Sequence, residues 1–220
     1  MTTPTPSPTT QPTPLFPAGP PRPAPGRRRW LIAGLVALLV VVAAAVAVRW
    51  TRDGDSGPLA GRPRVTDARA GLSYGIPDGW KHDAAKDKDL IGAFSSQISS
   101  VQAGATADTG ATVLAGRAGQ VVPRADLGRT TEAVARSNAE FFFPDRPAAL
   151  EDSHDTVVDG RPAHTAVLRI KSDEGTARLQ LTVVTVDGER TSFLLGLTTG
   201  AVDPAVTEDV EAVLAGATVD

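Results

Sequence analysis

The sequence predicts an α+β protein in which helices flank an antiparallel sheet, with a disordered Pro-rich tail and one transmembrane helix ahead of the folded part. Three observations support this prediction: an uncharged run at Trp30–Val48, strand-like alternation with Asp-Gly turns in the second half, and two stretches of helical periodicity. We therefore divide the chain into a disordered Pro/Thr-rich cytoplasmic tail (1–29), a transmembrane helix (30–50), a linker (51–63) and an extracytoplasmic α+β domain (64–220).

The first 29 residues are of low complexity. Ten prolines lie between Pro4 and Pro25, and the sizeable apolar side chains among them are Leu15 and Phe16. Such a composition buries too little surface to offset the entropy of ordering, so we predict a disordered tail. Pro17–Arg22 matches the P-x-x-P-x-R pattern that aromatic-lined grooves bind. A signalling adaptor that recruits partners through this tail is therefore one alternative function.

The run Trp30–Val48 contains nineteen uncharged residues. A helix of this length spans roughly 28 Å, close to the thickness of a bilayer's hydrocarbon core. Trp30 and Trp50 lie at its two ends, where aromatic rings favour the headgroup level. We predict a retained single-pass anchor in contact with the lipid bilayer of the plasma membrane. A cleaved signal peptide is the alternative, because small-residue sites occur within residues 43–47.

Basic residues near a membrane segment favour the cytoplasmic side. The two flanks are equal by count, with Arg22, Arg27, Arg28 and Arg29 on one side and Arg49, Arg52, Arg62 and Arg64 on the other. The compact triplet Arg27, Arg28 and Arg29 directly abuts the helix, which favours a cytoplasmic N-terminus. The domain after the anchor is then extracytoplasmic.

Charge is distributed unevenly along the chain. All acidic residues lie at Asp53 or later, so the chain from Asp53 onward has 16 basic residues against 25 acidic ones, a net charge of −9. An acidic surface disfavours nucleic acid and anionic lipid as partners. The chain has no cysteine, which excludes disulfides, thiolate metal sites and a lipid-modified N-terminal cysteine. We predict no cofactor.

Periodicity places the elements of the domain. In chain order they are strands at Leu72–Ile76, Phe94–Ile98 and Thr112–Leu114, a helix at Asp126–Phe142, strands at Ala163–Lys171, Thr176–Val186 and Glu189–Thr198, and a helix starting after Asp203. Asp159-Gly160 and Asp187-Gly188 are hairpin signals, which indicates a β-meander in the second half. Pro204 follows an N-cap residue, as at the start of a helix.

The helix at Asp126–Phe142 is amphipathic. Its inner stripe, from steps of four and three, consists of Leu127, Thr131, Val134, Asn138 and Phe141. We therefore predict that Val134 and Phe141 are core residues and that Glu132 and Glu140 are exposed. The run Phe141–Phe143 at the helix end is interpreted as a plug of the core. Trp80 is expected to fold back onto the core.

Gly71–Gly75 spells the G-x-S-x-G motif of hydrolases, centred on Ser73. That chemistry needs a strained turn at the serine and a helix after it. Here Pro77-Asp78-Gly79 follows, which starts no helix, so we interpret Ser73 as a polar strand residue. An envelope hydrolase that uses Ser73 remains the enzymatic alternative, although the expectation is that the chain is not an enzyme.

The three histidines give no clear site. His82 has acidic neighbours at 83, 87 and 89 but lacks the glycine-centred loop of a calcium site. His154 is interpreted as part of an exposed polar loop. His164 shares a strand face with apolar residues, so it is expected at the border of the core. We predict no catalytic, cofactor-binding or metal-binding residues.

Four features together resemble the PsbP-like fold. They are the segment Ser73–Trp80 with its sequence Ile76-Pro77-Asp78-Gly79-Trp80, the amphipathic helix, the Asp-Gly meander and the final helix. That group includes the photosystem II extrinsic subunit P and the LpqN-type exported proteins of actinobacteria. The resemblance covers about residues 64–219 and implies an antiparallel sheet flanked by helices that binds a protein or ligand without catalysis. The group shares no catalytic residue to carry over, and the lipid-anchoring cysteine of many exported relatives is absent. We therefore expect a binding or accessory domain at the cell envelope, with an unidentified envelope protein or ligand as partner.

Overall fold

The computed structural model describes residues 57–100, 110–172, 175–200 and 203–220. The predicted tail, the predicted transmembrane helix and the first half of the predicted linker lie outside these residues. No helix within the described residues is long and apolar enough to cross a membrane.

The described residues form ten strands and two α-helices. In chain order they are β1 (Arg64–Asp67), β2 (Leu72–Gly75), β3 (Trp80–His82), β4 (Phe94–Ser100), β5 (Gly110–Arg117), α1 (Leu127–Phe142), β6 (Ala148–Val158), β7 (Arg161–Ser172), β8 (Gly175–Asp187), β9 (Arg190–Thr199), α2 (Pro204–Ala215) and β10 (Thr218–Val219). Short 3₁₀ turns at Lys86–Asp89 and Arg124–Asp126 precede β4 and α1.

A seven-stranded antiparallel sheet with the order β3-β4-β5-β9-β8-β7-β6 forms the centre of the described domain. A smaller sheet with the order β1-β2-β10 lies beside it. Side chains of β9 alternate between two apolar clusters, since Phe193 and Leu195 pack with Leu127 of α1, whereas Leu194 packs with Val210 of α2. The domain therefore has three layers, with α1 on one face of the large sheet and α2 with the small sheet on the other. The predicted α+β class with an antiparallel sheet and flanking helices is confirmed for this part of the chain.

The predicted meander is confirmed, and it contains a further strand. Asp159 and Gly160 have φ of 47° and 73° and join β6 to β7, as a two-residue hairpin turn with positive φ at both positions requires. The sequence-based prediction missed β6, and His154 lies in this strand rather than in a loop. Because β6 is an edge strand exposed along most of its length, it has no buried face to impose alternation on the sequence.

The final helix and Trp80 agree with the prediction. The Asp203 carboxylate accepts a hydrogen bond from the Ala205 backbone N–H at 3.0 Å, and Pro204 begins α2. Trp80 is buried on the α2 side, and its indole Nε1–H donates to the Asp209 carboxylate at 3.0 Å. This bond ties the short edge strand β3 to the helix.

The predicted inner stripe of the long helix is correct in its first half and wrong in its second, because Leu127 and Thr131 are buried but its later members are not. The buried positions of α1 are Leu127, Thr131, Ala135 and Ala139, while Val134 is 36% exposed and Phe141 is 58% exposed. The prediction followed the largest apolar side chains, whereas the helix packs on β7 and β8 through its small ones. Alanine at the contact lets the helix axis approach the sheet closely, which leaves the larger side chains at its flank.

Residues 57–63 pack against the domain. Leu59 lies over Gly75, where an added Cβ would come within 2.8 Å of the leucine Cβ. The backbone N–H of Ile76 donates to the Pro63 carbonyl at 2.8 Å, and Arg62 forms an ion pair with Asp78. The chain is therefore fixed to the folded domain from residue 57 onward.

Candidate apolar groove

An open groove runs between α1 and two segments at one end of the large sheet, residues 91–94 and 118–122. Its cavity volume is about 630 Å³. Phe94, Val183 and Phe193 are among its lining residues, together with α1 side chains. Val134 and Phe141, which the sequence predicted as core, contribute to the helical wall.

Backbone hydrogen bonds fix the two non-helical segments. The Ala93 carbonyl accepts from the Arg117 N–H at 3.3 Å, which holds the first segment to the end of β5. Thr191 holds the second segment, since its carbonyl accepts from Ala118 N–H and its hydroxyl oxygen accepts from Val122 N–H, both at 2.9 Å. Both segments are thus attached to strands of the central sheet.

Gly116 makes this arrangement possible. A Cβ at this position would clash with the Ala93 carbonyl oxygen and would lie 2.7 Å from the Phe193 ring. The absence of a side chain therefore lets the first segment cross directly over β5.

Aromatic side chains form one part of the site. The rings of Phe94 and Phe193 meet edge to face with centroids 5.6 Å apart, and Phe94 also contacts Phe142 at 6.1 Å. The expected plug at the end of α1 is partly correct, because Phe142 and Phe143 pack against the core. Phe141 instead turns outward and contacts the Phe142 ring edge to face at 5.0 Å.

The residues that line the groove are apolar or uncharged. Its polar side chains are Gln120, Thr130, Ser137 and Asn138. The Asn138 amide already donates to the Val134 carbonyl one turn earlier, at 2.8 Å. Ile91 on the opposite rim is 62% exposed, so large apolar side chains face solvent on both sides of the groove. This chemistry suits an apolar, uncharged ligand, and contiguous exposed apolar surface of this kind marks binding sites.

A polar cluster joins α1 to the β6–β7 hairpin. The Ser153 hydroxyl lies 2.7 Å from the Glu132 carboxylate and 2.9 Å from His164 Nε2, and His164 Nδ1 lies 2.7 Å from the Asp155 carboxylate. His164 is buried, as predicted, and Gly128 makes room for it, since a Cβ there would lie 3.2 Å from the imidazole Cε1.

These contacts have the atom order of a serine–histidine–aspartate triad but a different hydrogen-bond pattern. Ser153 has one hydroxyl hydrogen, and it is donated to Glu132. A nucleophilic serine would instead donate that hydrogen to the imidazole. Asp155 is 93% exposed, unlike the buried carboxylate of such a triad. The cluster is arranged to fasten the helix to the hairpin.

The structure places Ser73 inside β2, as the sequence predicted. Its hydroxyl oxygen accepts a hydrogen bond from Arg64 Nε at 3.0 Å. The same guanidinium donates to the Ser73 carbonyl at 2.7 Å and to Thr218 Oγ1 at 2.9 Å, so it joins the three strands of the small sheet. The contacts of Ser73 are those of a polar strand residue.

His82 contacts Asp87, with 2.9 Å between Nε2 and the carboxylate. Across the described ranges, no three histidine, aspartate or glutamate side chains are placed to hold a metal ion. His154 lies on the exposed edge strand β6, where its Nδ1 is 2.8 Å from the Asp152 carboxylate.

A buried network of oxygen atoms links the two sheets. The Asp67 carboxylate accepts hydrogen bonds from the hydroxyls of Ser95 and Ser96, each at 2.6 Å, and from two backbone N–H groups in its own turn. The Tyr74 hydroxyl lies 2.9 Å from the Ser96 oxygen. Burial raises the pKa of Tyr74, and the nearby Asp67 carboxylate acts in the same direction. The network stabilises the junction between the sheets.

Sequence reasoning missed the groove because it assigned every large apolar residue of α1 to the core. The sequence signal for the groove was that α1 has large apolar side chains on more of its circumference than one buried face can hold. Val134 and Phe141 lie outside the stripe that Leu127, Ala135 and Ala139 complete at helical spacing.

No protein-family model and no curated protein matches the chain. Solved structures do match it. The solution structure of cyanobacterial PsbP from Synechocystis sp. PCC 6803 matches with a TM-score of 0.52 and 18% identity, over 72% of this chain and 92% of that one. LpqN of Mycobacterium tuberculosis, described as involved in cell envelope biogenesis, matches with a TM-score of 0.49 and 14% identity, over 71% and 89% of the two chains. The Ran-binding protein Mog1p of Saccharomyces cerevisiae matches with a TM-score of 0.47 and 11% identity, over 71% and 86%.

The similarity to cyanobacterial PsbP extends over nearly all of that protein and concerns the fold. The resemblance that the sequence indicated is therefore confirmed: the folded part of this chain is similar to the PsbP fold.

Proposed function

We propose that the chain is a single-pass plasma-membrane protein with a cytoplasmic N-terminus, and that its extracytoplasmic domain is an accessory module that binds the acyl chain of a lipid. The observation that carries this proposal is the groove beside α1, whose lining is apolar or uncharged although the domain as a whole is acidic. An acyl chain can pack against such a lining without burying an unpaired charge.

The size of the groove supports a small ligand. Its volume of about 630 Å³ falls within the roughly 300–1,000 Å³ typical of small-molecule sites. The predicted anchor ends at Trp50, seven residues before the folded domain begins at Gly57, so the domain has membrane lipid within reach. A lipid chain is therefore the apolar ligand most accessible to it.

The proposed role is binding without catalysis. Two contacts support this choice over the hydrolase alternative: Ser73 accepts from Arg64, and Ser153 donates its hydrogen to Glu132. The adaptor alternative depends on the proline-rich tail and is compatible with lipid binding by the domain.

Equilibrium binding of a fluorescent fatty acid tests the proposal. Residues 57–220 are titrated with anthroyloxy-stearate, and the same titration is made with Val134→Glu. We expect saturable binding to the wild-type domain and at least tenfold weaker binding to the variant, because a carboxylate in the groove loses solvation when the chain binds.

Val157→Glu is the matched control. It makes the same chemical change at an exposed valine, 63% accessible, on the hairpin away from the groove. It should bind the probe as the wild type does. Equal affinity of the wild type and Val134→Glu, or equal losses in the two variants, would contradict the proposed site.

A further inference from the structure

The groove lies at the same end of the large sheet as residue 57, where the folded domain begins. Gly57 lines a shallow pocket with Asp159 and Gly160, the turn between β6 and β7. Residues that pair at this same end of the sheet connect the turn to the groove, strand by strand. These pairs are Ala163–Val184, Val184–Ser192, Ser192–Arg117 and Gly116–Phe94. The segments 91–94 and 118–122 that border the groove therefore project from the end at which residue 57 is held.

The chain between the predicted anchor and this end is short. Residues 51–56 separate Trp50 from Gly57, and seven steps of roughly 3.6 Å limit that separation to about 25 Å. A membrane segment that ends at Trp50 therefore keeps this end of the domain close to the bilayer, whatever conformation these residues adopt.

Apolar side chains are exposed at this end. Val121, beside the groove, is 44% exposed, and Ile91 on its rim is 62% exposed. Both lie in segments between elements, where a side chain can enter a lipid interface without unfolding a strand. Leu150, which is 38% exposed, pairs with Leu168 near the opposite end of the sheet and provides an internal comparison.

We propose that the end of the domain bearing Val121 and Ile91 contacts the surface of the bilayer, so that the groove opens toward the lipid from which it takes an acyl chain. This inference rests on the proposed membrane anchor and lipid-binding function and adds the orientation of the domain. The partner is a lipid surface recognised by apolar contact, because the acidic domain disfavours attraction to anionic headgroups.

Depth-dependent fluorescence quenching of the full chain tests this orientation. The chain has no cysteine, so Val121→Cys and Leu150→Cys each provide one labelling site. Each variant is labelled with a nitrobenzoxadiazole maleimide and reconstituted into phosphatidylcholine vesicles that contain lipids with a doxyl group near the headgroup. We expect at least twofold stronger quenching at position 121 than at position 150. Circular dichroism confirms that both variants are folded.

Equal quenching at the two positions, or stronger quenching at position 150, overturns the orientation. Flotation of the same vesicles separates this failure from that of the anchor: a chain that floats with no preferential quenching at 121 refutes the orientation alone. A chain that does not float refutes the anchor and the orientation together. The fatty-acid titration of the domain reports on the groove independently of both results.

Discussion

Phe141 and Leu127 lie on the same helix in opposite environments. Leu127 is 2% exposed between α1 and the sheet, whereas Phe141 is 58% exposed at the groove. Truncation of Leu127 to alanine should lower the free energy of unfolding by about 2–5 kcal/mol, because it leaves a cavity. Phe141→Ala should lower it by less than about 1 kcal/mol, because most of the ring already contacts solvent.

Urea denaturation of the two variants measures both free energies. If Phe141→Ala destabilised the domain as much as Leu127→Ala, the ring would be part of the core and the groove would be closed in solution.

Tyr74 is the one tyrosine in the sequence, so its ionisation can be followed directly. Burial raises its pKa in the folded protein, whereas an unfolded chain has a tyrosine pKa of about 10. The unfolded state therefore loses this proton first as the pH rises. The stability that the neutral tyrosine contributes is complete below about pH 10 and decreases above it.

Tyrosinate absorbance near 295 nm should appear at higher pH in the native protein than in urea. In Tyr74→Phe, the free energy of unfolding should fall less steeply above about pH 10 than in the wild type. A native titration that coincides with the one in urea would show that the hydroxyl is solvated, in conflict with its contact to Ser96.

At the scale of elements, the cluster around Ser153 couples α1 to the β6–β7 hairpin. Ser153→Ala removes a hydroxyl between Glu132 and His164, and we expect a loss of about 1–2 kcal/mol in the free energy of unfolding. Ser99→Ala, at an exposed position of β4, is the control and should change it by less than about 0.5 kcal/mol.

A double-mutant cycle of Ser153→Ala with Glu132→Ala identifies the contact. The two losses should be less than additive, because each substitution removes the same hydrogen bond. Strict additivity would mean that the helix and the hairpin are not joined through these side chains.

The elements that the sequence predicted correctly are those with at least one buried face. Side chains of β7, β8 and β9 alternate between two apolar clusters, and Asp159-Gly160 supplies the positive φ values that the β6–β7 hairpin needs. β6 was missed because an exposed edge strand lacks that alternation. The extent of α1 was predicted, and so were Leu127 and Thr131 of its buried face, but the contact through Ala135 and Ala139 was not.

The candidate site was less predictable than the fold. Its walls come from α1 and from two segments far from it in sequence, 91–94 and 118–122, and only the paired register of β4, β5 and β9 brings them together. Local sequence patterns do not indicate which distant segments lie close together in the fold. They do contain the contributing residues, which appear as large apolar side chains beyond the number that one helix face can bury.

At the scale of the whole molecule, we predict that the proposed orientation in the membrane depends on Arg27, Arg28 and Arg29. Replacing all three with serine should leave Arg49 and Arg52 to dominate and should invert a fraction of the chains. A cysteine introduced at Ser56, probed in intact cells with an impermeant maleimide, should label in the wild-type background and label less in the triple variant. Labelling of the wild-type background only after lysis would show the opposite topology.

Photo-crosslinking tests the central claim, binding of an acyl chain in the groove, most directly. The full chain is reconstituted with a phosphatidylcholine that carries a diazirine in its acyl chain, irradiated, digested and mapped by mass spectrometry. We predict that crosslinks within the domain concentrate at residues 91–94 and 134–141 and decrease in Val134→Glu but not in Val157→Glu. Crosslinks spread evenly over the domain, or an unchanged pattern in Val134→Glu, would contradict the account.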